Sequence, residues 1–506
     1  MYETFFNAFL AVMTLDNVLA MVFGVVIGIL IGALPGISTT IGLAVLIPLT
    51  FGINPLVALG MMAGIYNGSI YGGAIPAVLI NIPGTPSSIA TTFDGHPMSK
   101  QGKSAMALRI ACYSSALGGI ASALALMLFA PPLARLTVAF GPAEYFWVAV
   151  LGLSSVSLLL GSDPIKGLIA ACVGLIISTI GMDLLTGNMR FTFGWLELAD
   201  GVNIIIVLIG LFALPRVLVM AEQAVKAGVS GKDLRLRGGQ LNRSLLAGLV
   251  PTWFRSAIIG ILVGILPGAG GNMAAFLSYN EAKRASRNPE AFGHGSVEGL
   301  AAAETGNSAD NASSLIPALS LGVPGNAIAA LILGGLLVHG LQPGPALFRE
   351  NPDIVYGFMI QMLLTAILVL PLGGLIASSV FAQALRLPPV FLAPVIVGLM
   401  CLGVFTVSNS PFDLAVMLCF GLVGYAMDRL DFPMPPLVLG VILGGLAETS
   451  LRTALLISRG DTAILYKNTI SQILIALILL TILAPMIRWL RERQRQKKGT
   501  STGVAR

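Results

Sequence analysis

The sequence has little charge. Only 10% of its 506 residues are Asp, Glu, Lys or Arg, whereas 56% are hydrophobic. Soluble domains carry about 25% charged residues, so the composition excludes a large soluble core. About 20 apolar residues cross a bilayer, and apolar runs that approach or exceed this length recur along the chain. The predicted membrane helices include Ala20–Ile31, Ala105–Ala130, Ala143–Leu160, Ile165–Met182, Val202–Leu214, Val355–Val380, Val390–Val407, Leu414–Met427 and Ile464–Ile487.

Histidine and cysteine are also scarce. The histidines His96, His294 and His339 lack metal-ligand spacing, and the four cysteines lie in apolar segments without a CxxC pair. These absences argue against a disulfide framework, a zinc site and metal-dependent catalysis. Gly102-Lys-Ser104 ends like a phosphate-binding loop, but Pro97 stands where that loop needs its leading glycine. The sequence therefore predicts neither an ATPase nor an enzyme, and no cofactor.

Glycine and proline, by contrast, are abundant, with 59 and 29 residues. Gly28-Ile-Leu-Ile-Gly-Ala-Leu-Pro-Gly36 returns as Gly260-Ile-Leu-Val-Gly-Ile-Leu-Pro-Gly268. The Gly-x-x-x-Gly part predicts close helix packing, and the Pro-Gly pair predicts a helix break. A break at bilayer depth survives only where it faces protein or a water-filled cavity. Paired breaks in two halves of a chain point to the binding site of a secondary transporter.

The repeat extends beyond these breaks. Ile75-Pro-Ala77 and Ile82-Pro-Gly84 return with identical spacing as Ile316-Pro-Ala318 and Val323-Pro-Gly325. Two membrane units related by an internal repeat are therefore expected. The predicted parts are a first membrane repeat unit over 1–220, a basic cytoplasmic linker over 221–244, a second membrane repeat unit over 245–460, an extra C-terminal transmembrane helix over 461–490 and a basic cytoplasmic tail over 491–506.

The expected fold is an all-α polytopic membrane protein with about ten to twelve transmembrane helices, broken helices and re-entrant hairpins. Short basic loops face the cytoplasm, which places Lys226–Arg243 and the tail Arg488–Lys498 inside. The second unit is followed by one extra helix, so it crosses an odd number of times. A matching first unit would then be inverted, with the N-terminus outside. Arg452, Arg459 and Lys467 would also lie outside, which is an objection to this arrangement.

Candidate substrate-binding residues cluster at the predicted breaks. A helix that restarts after a break offers unpaired N–H groups and a partial positive charge, which suit a carboxylate. Ordinary N-capping by Ser38 or Thr39 is a compatible alternative. The polar, glycine-rich stretches around 67–88 and 306–326 predict re-entrant hairpins that expose backbone oxygens. The candidate residues are Pro35, Gly36, Ser38, Thr39, Thr40, Asn67, Tyr71, Gly72, Gly73, Pro83, Gly84, Thr85, Pro267, Gly268, Gly270, Gly271, Asn272, Pro324, Gly325 and Asn326.

A second cluster is acidic and has no counterpart in the first unit. Glu304, Asn307 and Asn311 share one helical face, and Asp310 lies beside them. Carboxylates at membrane depth mark ion or proton paths, so these four residues are the candidate ion-coupling residues. Either Na⁺, held transiently by oxygen ligands, or H⁺ on a buried carboxylate fits. The alternative is that the acids are solvated in a cytoplasmic loop.

Six segments carry a family resemblance: Ala33-Leu-Pro-Gly36, Tyr71-Gly-Gly73, Asn81-Ile-Pro-Gly-Thr-Pro86, Asp94-Gly-His-Pro97, Lys100-Gln-Gly102 and Glu304–Asn311. The chain resembles the large membrane subunit of the tripartite tricarboxylate transporters. This resemblance implies a permease of the bacterial inner (plasma) membrane that works with a small four-helix membrane subunit. It also implies that a periplasmic solute-binding protein delivers a di- or tricarboxylate and that ion gradients drive uptake.

Other classes of membrane protein predict different features. A channel needs a continuous polar stripe, and a membrane-embedded enzyme needs a nucleophile beside a base or metal ligands; the sequence has neither. A stand-alone organic-anion carrier would work without partners. An ABC-type permease would require ATP, and the duplicated interrupted helices disfavour it. Ion-coupled uptake of organic anions is therefore the predicted function.

Overall fold

The computed structural model describes residues 2–34, 37–136, 140–159, 164–183, 186–226, 242–266, 268, 270–374 and 389–481. Several predicted features lie outside these ranges: Pro35, Gly36, Pro267, residues 227–241 of the linker, residues 375–380, residues 482–490 and the tail 491–506.

The described chain is almost entirely helical, as the composition predicts. A two-stranded antiparallel hairpin pairs Gly181–Met182 with Met189–Arg190. The helices, numbered in chain order, are α1 (Tyr2–Val12), α2 (Leu15–Ala33), α3 (Thr39–Leu46), α4 (Pro55–Ile80), α5 (Ile89–Lys100), α6 (Ser104–Leu136), α7 (Pro142–Leu159), α8 (Pro164–Ser178), α9 (Ile204–Lys226), α10 (Arg243–Ile265), α11 (Gly270–Ala285), α12 (Val297–Ser313), α13 (Leu315–Leu321), α14 (Ala327–Val338), α15 (Pro345–Glu350) and α16 (Pro352–Pro371). Further helices cover Pro389–Ser408, Pro411–Arg429, Met434–Ile457, Ile464–Lys467 and Thr469–Thr481.

Within the described ranges, seven helices are long and apolar enough to cross a membrane, and shorter apolar helices accompany them. The predicted all-α polytopic membrane fold is confirmed. The number of ten to twelve crossings stays a prediction. Several predicted helices differ in extent. Helix α9 continues to Lys226 rather than ending at Leu214, and α8 ends at Ser178 because the chain turns into the hairpin at Gly181, whose φ is 116°. The C-terminal helix is interrupted at Asn468, between Lys467 and Thr469.

Both predicted helix breaks are present. Helix α2 ends at Ala33 and α3 begins at Thr39, whereas α10 ends at Ile265 and α11 begins at Gly270. Gly268 in the second break has a φ of 86°, a backbone conformation that favours glycine. Both helices therefore end just before the Pro-Gly motifs in the sequence, as the chemistry of proline and glycine predicts.

The repeated glycines pack helices closely. A Cβ on Gly28 of α2 would lie 2.6 Å from the carbonyl oxygen of Ile65 in α4. A Cβ on Gly260 of α10 would lie 2.5 Å from the carbonyl oxygen of Gly306 in α12. The predicted packing role of both Gly-x-x-x-Gly runs is confirmed, and α2 with α4 resembles α10 with α12.

The polar stretch Asn67–Gly73 is helical, and the turn within the predicted stretch 67–88 comes after it. Helix α4 continues through it, and the chain turns at Asn81, whose φ is 60°. Every residue of Asn67–Gly73 is buried, so tertiary packing outweighs the low helix propensity of glycine and asparagine. Likewise, Gly306–Ser313 lies inside α12 and the chain turns at Gly322.

The two turns use the same hydrogen bonds. In the first, the Ile82 N–H donates to Pro76 O at 3.4 Å and the Gly84 N–H to Gly73 O at 3.2 Å. In the second, the Val323 N–H donates to Pro317 O at 3.3 Å and the Gly325 N–H to Ser314 O at 3.2 Å. The sequence repeat is therefore also a local structural repeat.

The chain forms two compact units. One comprises Met1–Val138 and Asn203–Ala426, and the other comprises Ala139–Val202 and Met427–Arg506. Each compact unit combines stretches from both predicted repeat units. The boundaries of the repeat units and their inverted orientation stay predictions.

Candidate functional site

Helix α12 is polar and buried. Glu304 and Asn307 are 0% exposed, Asp310 is 3% exposed and Asn311 is 2% exposed. The alternative that these residues are solvated in a loop is therefore wrong. Since burying polar groups costs free energy unless they are paired, their partners decide what the helix can do.

Asp94 of α5 holds the start of α12. Its Oδ1 accepts hydrogen bonds from the N–H groups of Gly293 at 2.8 Å, Gly295 at 2.9 Å and Ser296 at 2.8 Å. Ser296 in turn caps α12, because its hydroxyl accepts from the Gly299 N–H at 3.1 Å. Asp94 is thus a positioning residue, a role that its sequence motif alone did not reveal.

Asp310 connects α12 to the second turn. The Asn326 amide nitrogen donates to Asp310 Oδ2 at 2.8 Å and to the Tyr66 hydroxyl at 3.1 Å. The Asn326 amide oxygen accepts from the Ala329 N–H at 2.8 Å and so caps α14. The structure therefore brings together the predicted substrate residue Asn326 and the predicted ion-coupling residue Asp310.

Asn67 and Asn311 form a separate contact between the two predicted repeat units. The Asn311 amide donates to Asn67 Oδ1 at 3.0 Å. The Asn67 amide donates to Thr365 Oγ1 at 2.9 Å and to Met362 O at 3.1 Å in α16. These amides join α4, α12 and α16.

Unpaired polar atoms concentrate on α12. Five of the eight buried side-chain atoms without a hydrogen-bond partner in the described chain belong to this helix. They are Glu304 Oε2, both amide atoms of Asn307, Asp310 Oδ1 and Asn311 Oδ1. Since buried polar groups are nearly always paired, this cluster is the strongest sign of a binding site.

The first turn of α11 lies against this cluster. A Cβ on Gly271 would lie 2.8 Å from Asn307 Oδ1 and 3.5 Å from Asp310 Oδ2. Gly268 donates its N–H to Gly325 O at 2.7 Å, which ties the break to the second turn. Asn272, another predicted substrate residue, is exposed and does not join the cluster.

The matching elements of the first predicted unit carry hydroxyls instead. Ser69 donates to Thr39 at the start of α3 at 2.8 Å. The hydroxyls of Ser38 and Thr40 are 3.0 Å apart, and Ser38 makes no capping hydrogen bond. Thr85 lies against Gly73: a Cβ on Gly73 would be 2.6 Å from the Thr85 hydroxyl oxygen. This site is neutral, whereas the site at Asp310 is acidic.

Glu304 and Tyr71 lie apart from Asp310. The Thr91 hydroxyl donates to Glu304 Oε1, and six residues of helix separate Glu304 from Asp310 by about 9 Å along the axis. Tyr71 packs in an apolar cluster that includes Cys112, and its hydroxyl donates to Gly373 O at 3.3 Å. The four predicted coupling residues therefore do not form one site.

A charged cavity of about 270 Å³ lies in the unit formed by Ala139–Val202 and Met427–Arg506. Arg190 donates to Glu448 at 2.6 Å and Arg452 donates to Asp183 at 2.9 Å. The hydrogen bond to Glu448 raises the pKa of the Arg190 guanidinium above its ordinary value. Sequence reasoning did not predict this network, because its members are distant along the chain.

Residues 18–439 match the Tripartite tricarboxylate transporter TctA family. The chain belongs to this family. The resemblance inferred from the motifs is therefore confirmed, and this TctA-family protein is a multi-pass membrane permease of a transporter that includes partner subunits.

Two proteins of Agrobacterium vitis are similar to this TctA-family chain. A 52.8 kDa protein in the TAR-I ttuC' 3' region is 37% identical over 491 residues, which cover 96% of each chain. A protein in the TAR-II ttuC' 3' region is 37% identical over 241 residues, 47% of this chain and 98% of that relative. No solved structure is significantly similar to the chain.

Sequence reasoning missed Tyr66, Thr91 and Ser314. Tyr66 receives the Asn326 amide hydrogen bond, and its hydroxyl lies 3.4 Å from the Ser314 hydroxyl. Thr91 pairs with Glu304, more than two hundred residues away in sequence. Local patterns carry no signal for such distant partners.

Proposed function

We propose that this chain is the permease subunit of a secondary active uptake system for di- or tricarboxylates or related organic anions. A Na⁺ or H⁺ gradient drives the uptake, and no other cofactor takes part. The observation that carries the proposal is the hydrogen bond between Asp310 in the buried polar helix and Asn326 at an interrupted-helix turn. This contact joins a buried acid to a helix N-terminus in a TctA-family chain.

The substrate carboxylates bind at the helix starts that follow the breaks. Helices α3 and α11 restart at Thr39 and Gly270, and such N-termini favour anions. The turns at Pro83–Thr85 and Pro324–Asn326 supply further polar backbone groups. An anion brought near Asp310 raises the local negative charge, so a cation that binds with it lowers the electrostatic cost.

The proposed assembly contains a small four-helix membrane subunit and a periplasmic solute-binding protein that delivers the substrate. It lies in the bacterial inner membrane. The basic tail favours a cytoplasmic C-terminus. An odd number of crossings in each of two inverted repeat units would then put the N-terminus in the periplasm. The tripartite family to which the chain belongs supports the need for partners.

Reconstitution in liposomes tests the proposal. The purified chain, alone or with its membrane partner and binding protein, is supplied with labelled di- and tricarboxylates under an imposed Na⁺ or H⁺ gradient. Uptake is expected only with partners and a gradient, and without ATP. Robust gradient-driven uptake by the chain alone would indicate a stand-alone carrier, and an ATP requirement would indicate an ABC-type permease.

A further inference from the structure

We propose that Asn307 and Asp310 bind one monovalent cation, and that Asn326 connects this cation to the turn at Pro324–Asn326. The cation is substrate rather than a resident cofactor, and Na⁺ is the probe. If the same cation also drives uptake, that role rests on the proposed function. The binding site itself rests on the geometry of α10, α11, α12 and the turn.

Asn307 supplies the first argument. Its side chain is 0% exposed, and neither its amide oxygen nor its amide nitrogen has a hydrogen-bond partner. Leaving a fully buried amide without any hydrogen bond costs free energy. Asn307 is nevertheless held in this state, inside a helix whose residues from Gly299 to Ser313 are all buried. Its oxygen faces Gly271 beside Asp310. A cation at this place gives the oxygen a partner.

The two oxygens of Asp310 have different surroundings. Oδ2 accepts from Asn326, whereas Oδ1 is unpaired. A Cβ on Gly264, in the last turn of α10, would lie 3.1 Å from Oδ1. The end of a helix offers unpaired carbonyls and a partial negative charge, which attract cations. No described Lys, Arg or His forms an ion pair with Asp310.

The charge of the site selects a monovalent ion. Asp310 is the acid at this place, because Glu304 lies about 9 Å away along α12 and pairs with Thr91. A divalent ion would leave a net positive charge buried, which is costly. The described chain contains no group of three His, Cys, Asp or Glu residues that suits a transition metal. A proton would neutralise Asp310 but leave the Asn307 amide oxygen unpaired.

Asn326 transmits the presence of the cation to the turn. The amide nitrogen of Asn326 donates to Asp310 Oδ2 and to the Tyr66 hydroxyl. The amide oxygen of the same side chain caps α14. The Gly268 N–H contact to Gly325 O adds the start of α11 to this connection. A cation that fixes Asp310 therefore also fixes the helix starts at which an anion would bind.

The first predicted unit has no such site. The spacing that matches Gly84 with Gly325 also matches Ser69 with Asp310. The Ser69 hydroxyl is already paired, since it donates to Thr39 at 2.8 Å. Ser69→Ala is therefore a matched control that alters the equivalent position without touching the cation ligands.

Thermal unfolding of the purified full chain in detergent tests the site, with NaCl compared against choline chloride at equal ionic strength. Na⁺ is expected to raise the Tm of the wild type saturably, and the Ser69→Ala variant should keep this shift. Asn307→Ala should weaken Na⁺ binding at least tenfold. In choline its Tm should stay close to that of the wild type, because the cost of the cavity is offset by the removal of a buried, unpaired amide. Asp310→Asn should also lose the shift.

Several results would overturn the proposal. If Asn307→Ala and Asp310→Asn keep the full Na⁺-dependent rise in Tm, the cation does not bind at these residues. An equal rise in Tm with choline would also contradict a Na⁺ site. A shift in Tm that follows pH but not Na⁺ would assign a proton to Asp310 instead.

Uptake assays separate this proposal from the proposed function. A Na⁺ shift that depends on Asn307, without carboxylate uptake, leaves the site but refutes the function. Ion-driven carboxylate uptake, together with a Na⁺-dependent Tm shift that does not depend on Asn307, supports the proposed function but refutes the site.

Discussion

Gly260 and Gly248 lie on the same helix, α10, in different surroundings. A Cβ on Gly260 would be 2.5 Å from the carbonyl oxygen of Gly306, whereas a Cβ on Gly248 meets nothing within 4 Å. Gly260→Ala should therefore lower the free energy of unfolding by about 1–3 kcal/mol through overpacking. Gly248→Ala should raise it by up to about 1 kcal/mol, because alanine favours helix. Chemical unfolding in detergent measures both, and equal effects would contradict the close packing.

Asp310 carries a prediction about energetic coupling. Asp310→Asn keeps the side-chain size and an oxygen that can accept from Asn326, but removes the charge. Accumulation of substrate against its gradient should fall by about tenfold, a typical coupling factor. Exchange at equal ion concentrations on both sides should fall less. The measurement compares the two rates in liposomes, and a variant that concentrates substrate as well as wild type would exclude Asp310 as the coupling residue.

At the scale of elements, Asp94 fixes where α12 begins. Asp94→Asn removes the charge from an oxygen that accepts three backbone N–H groups. Hydrogen bonds to charged groups contribute about 1.5–3 kcal/mol each, so the loop at 293–296 should open more easily. Hydrogen exchange of its amides should accelerate at least tenfold. The exposed Glu290→Gln serves as control, and unchanged exchange in Asp94→Asn would argue against the positioning role.

The break before α11 is a second element with a testable role. Gly268 has a φ of 86° and donates to Gly325 O at 2.7 Å. Gly268→Leu should abolish uptake while the protein remains in the membrane, because a residue with a Cβ is strained in this conformation. Gly248→Leu on the exposed side of α10 is the control. Uptake and membrane abundance are measured together, and normal uptake by Gly268→Leu would exclude the break from the site.

The sequence predicted the elements better than their contacts. The Pro-Gly breaks follow from local chemistry, and the 3.6-residue period correctly placed Glu304, Asn307 and Asn311 on one helix. It could not fix the position of the turn within residues 67–88, because the packing of Gly68 and Gly72 on α2, which keeps Asn67–Gly73 helical, is a tertiary contact. Nor could it pair Asn326 with Tyr66, since no local pattern specifies a partner so distant.

At the scale of the whole molecule, the charged cavity should be separable from α12. Arg452→Met removes the guanidinium that donates to the buried Asp183 and to Glu448, while keeping most of the side-chain volume. Hydrogen exchange at 186–201 should accelerate because the hairpin loses this anchor. Exchange of the α12 amides should stay unchanged, since that helix belongs to the other compact unit. Equal acceleration in both regions would show that the two units open together.

The division into compact units also sets the order in which the protein can be built. Helix α8 packs through Gly174 against Gly440 of the Met434–Ile457 helix, where a Cβ on Gly174 would lie 2.0 Å from Leu437 O. At about 5–20 residues per second, the ribosome delivers that later helix roughly 13 to 50 s after α8. During this interval the small-residue face of the nascent α8 lacks the helix on which it packs in the folded protein. Any factor that shields this face would have to act while the protein is still being synthesised.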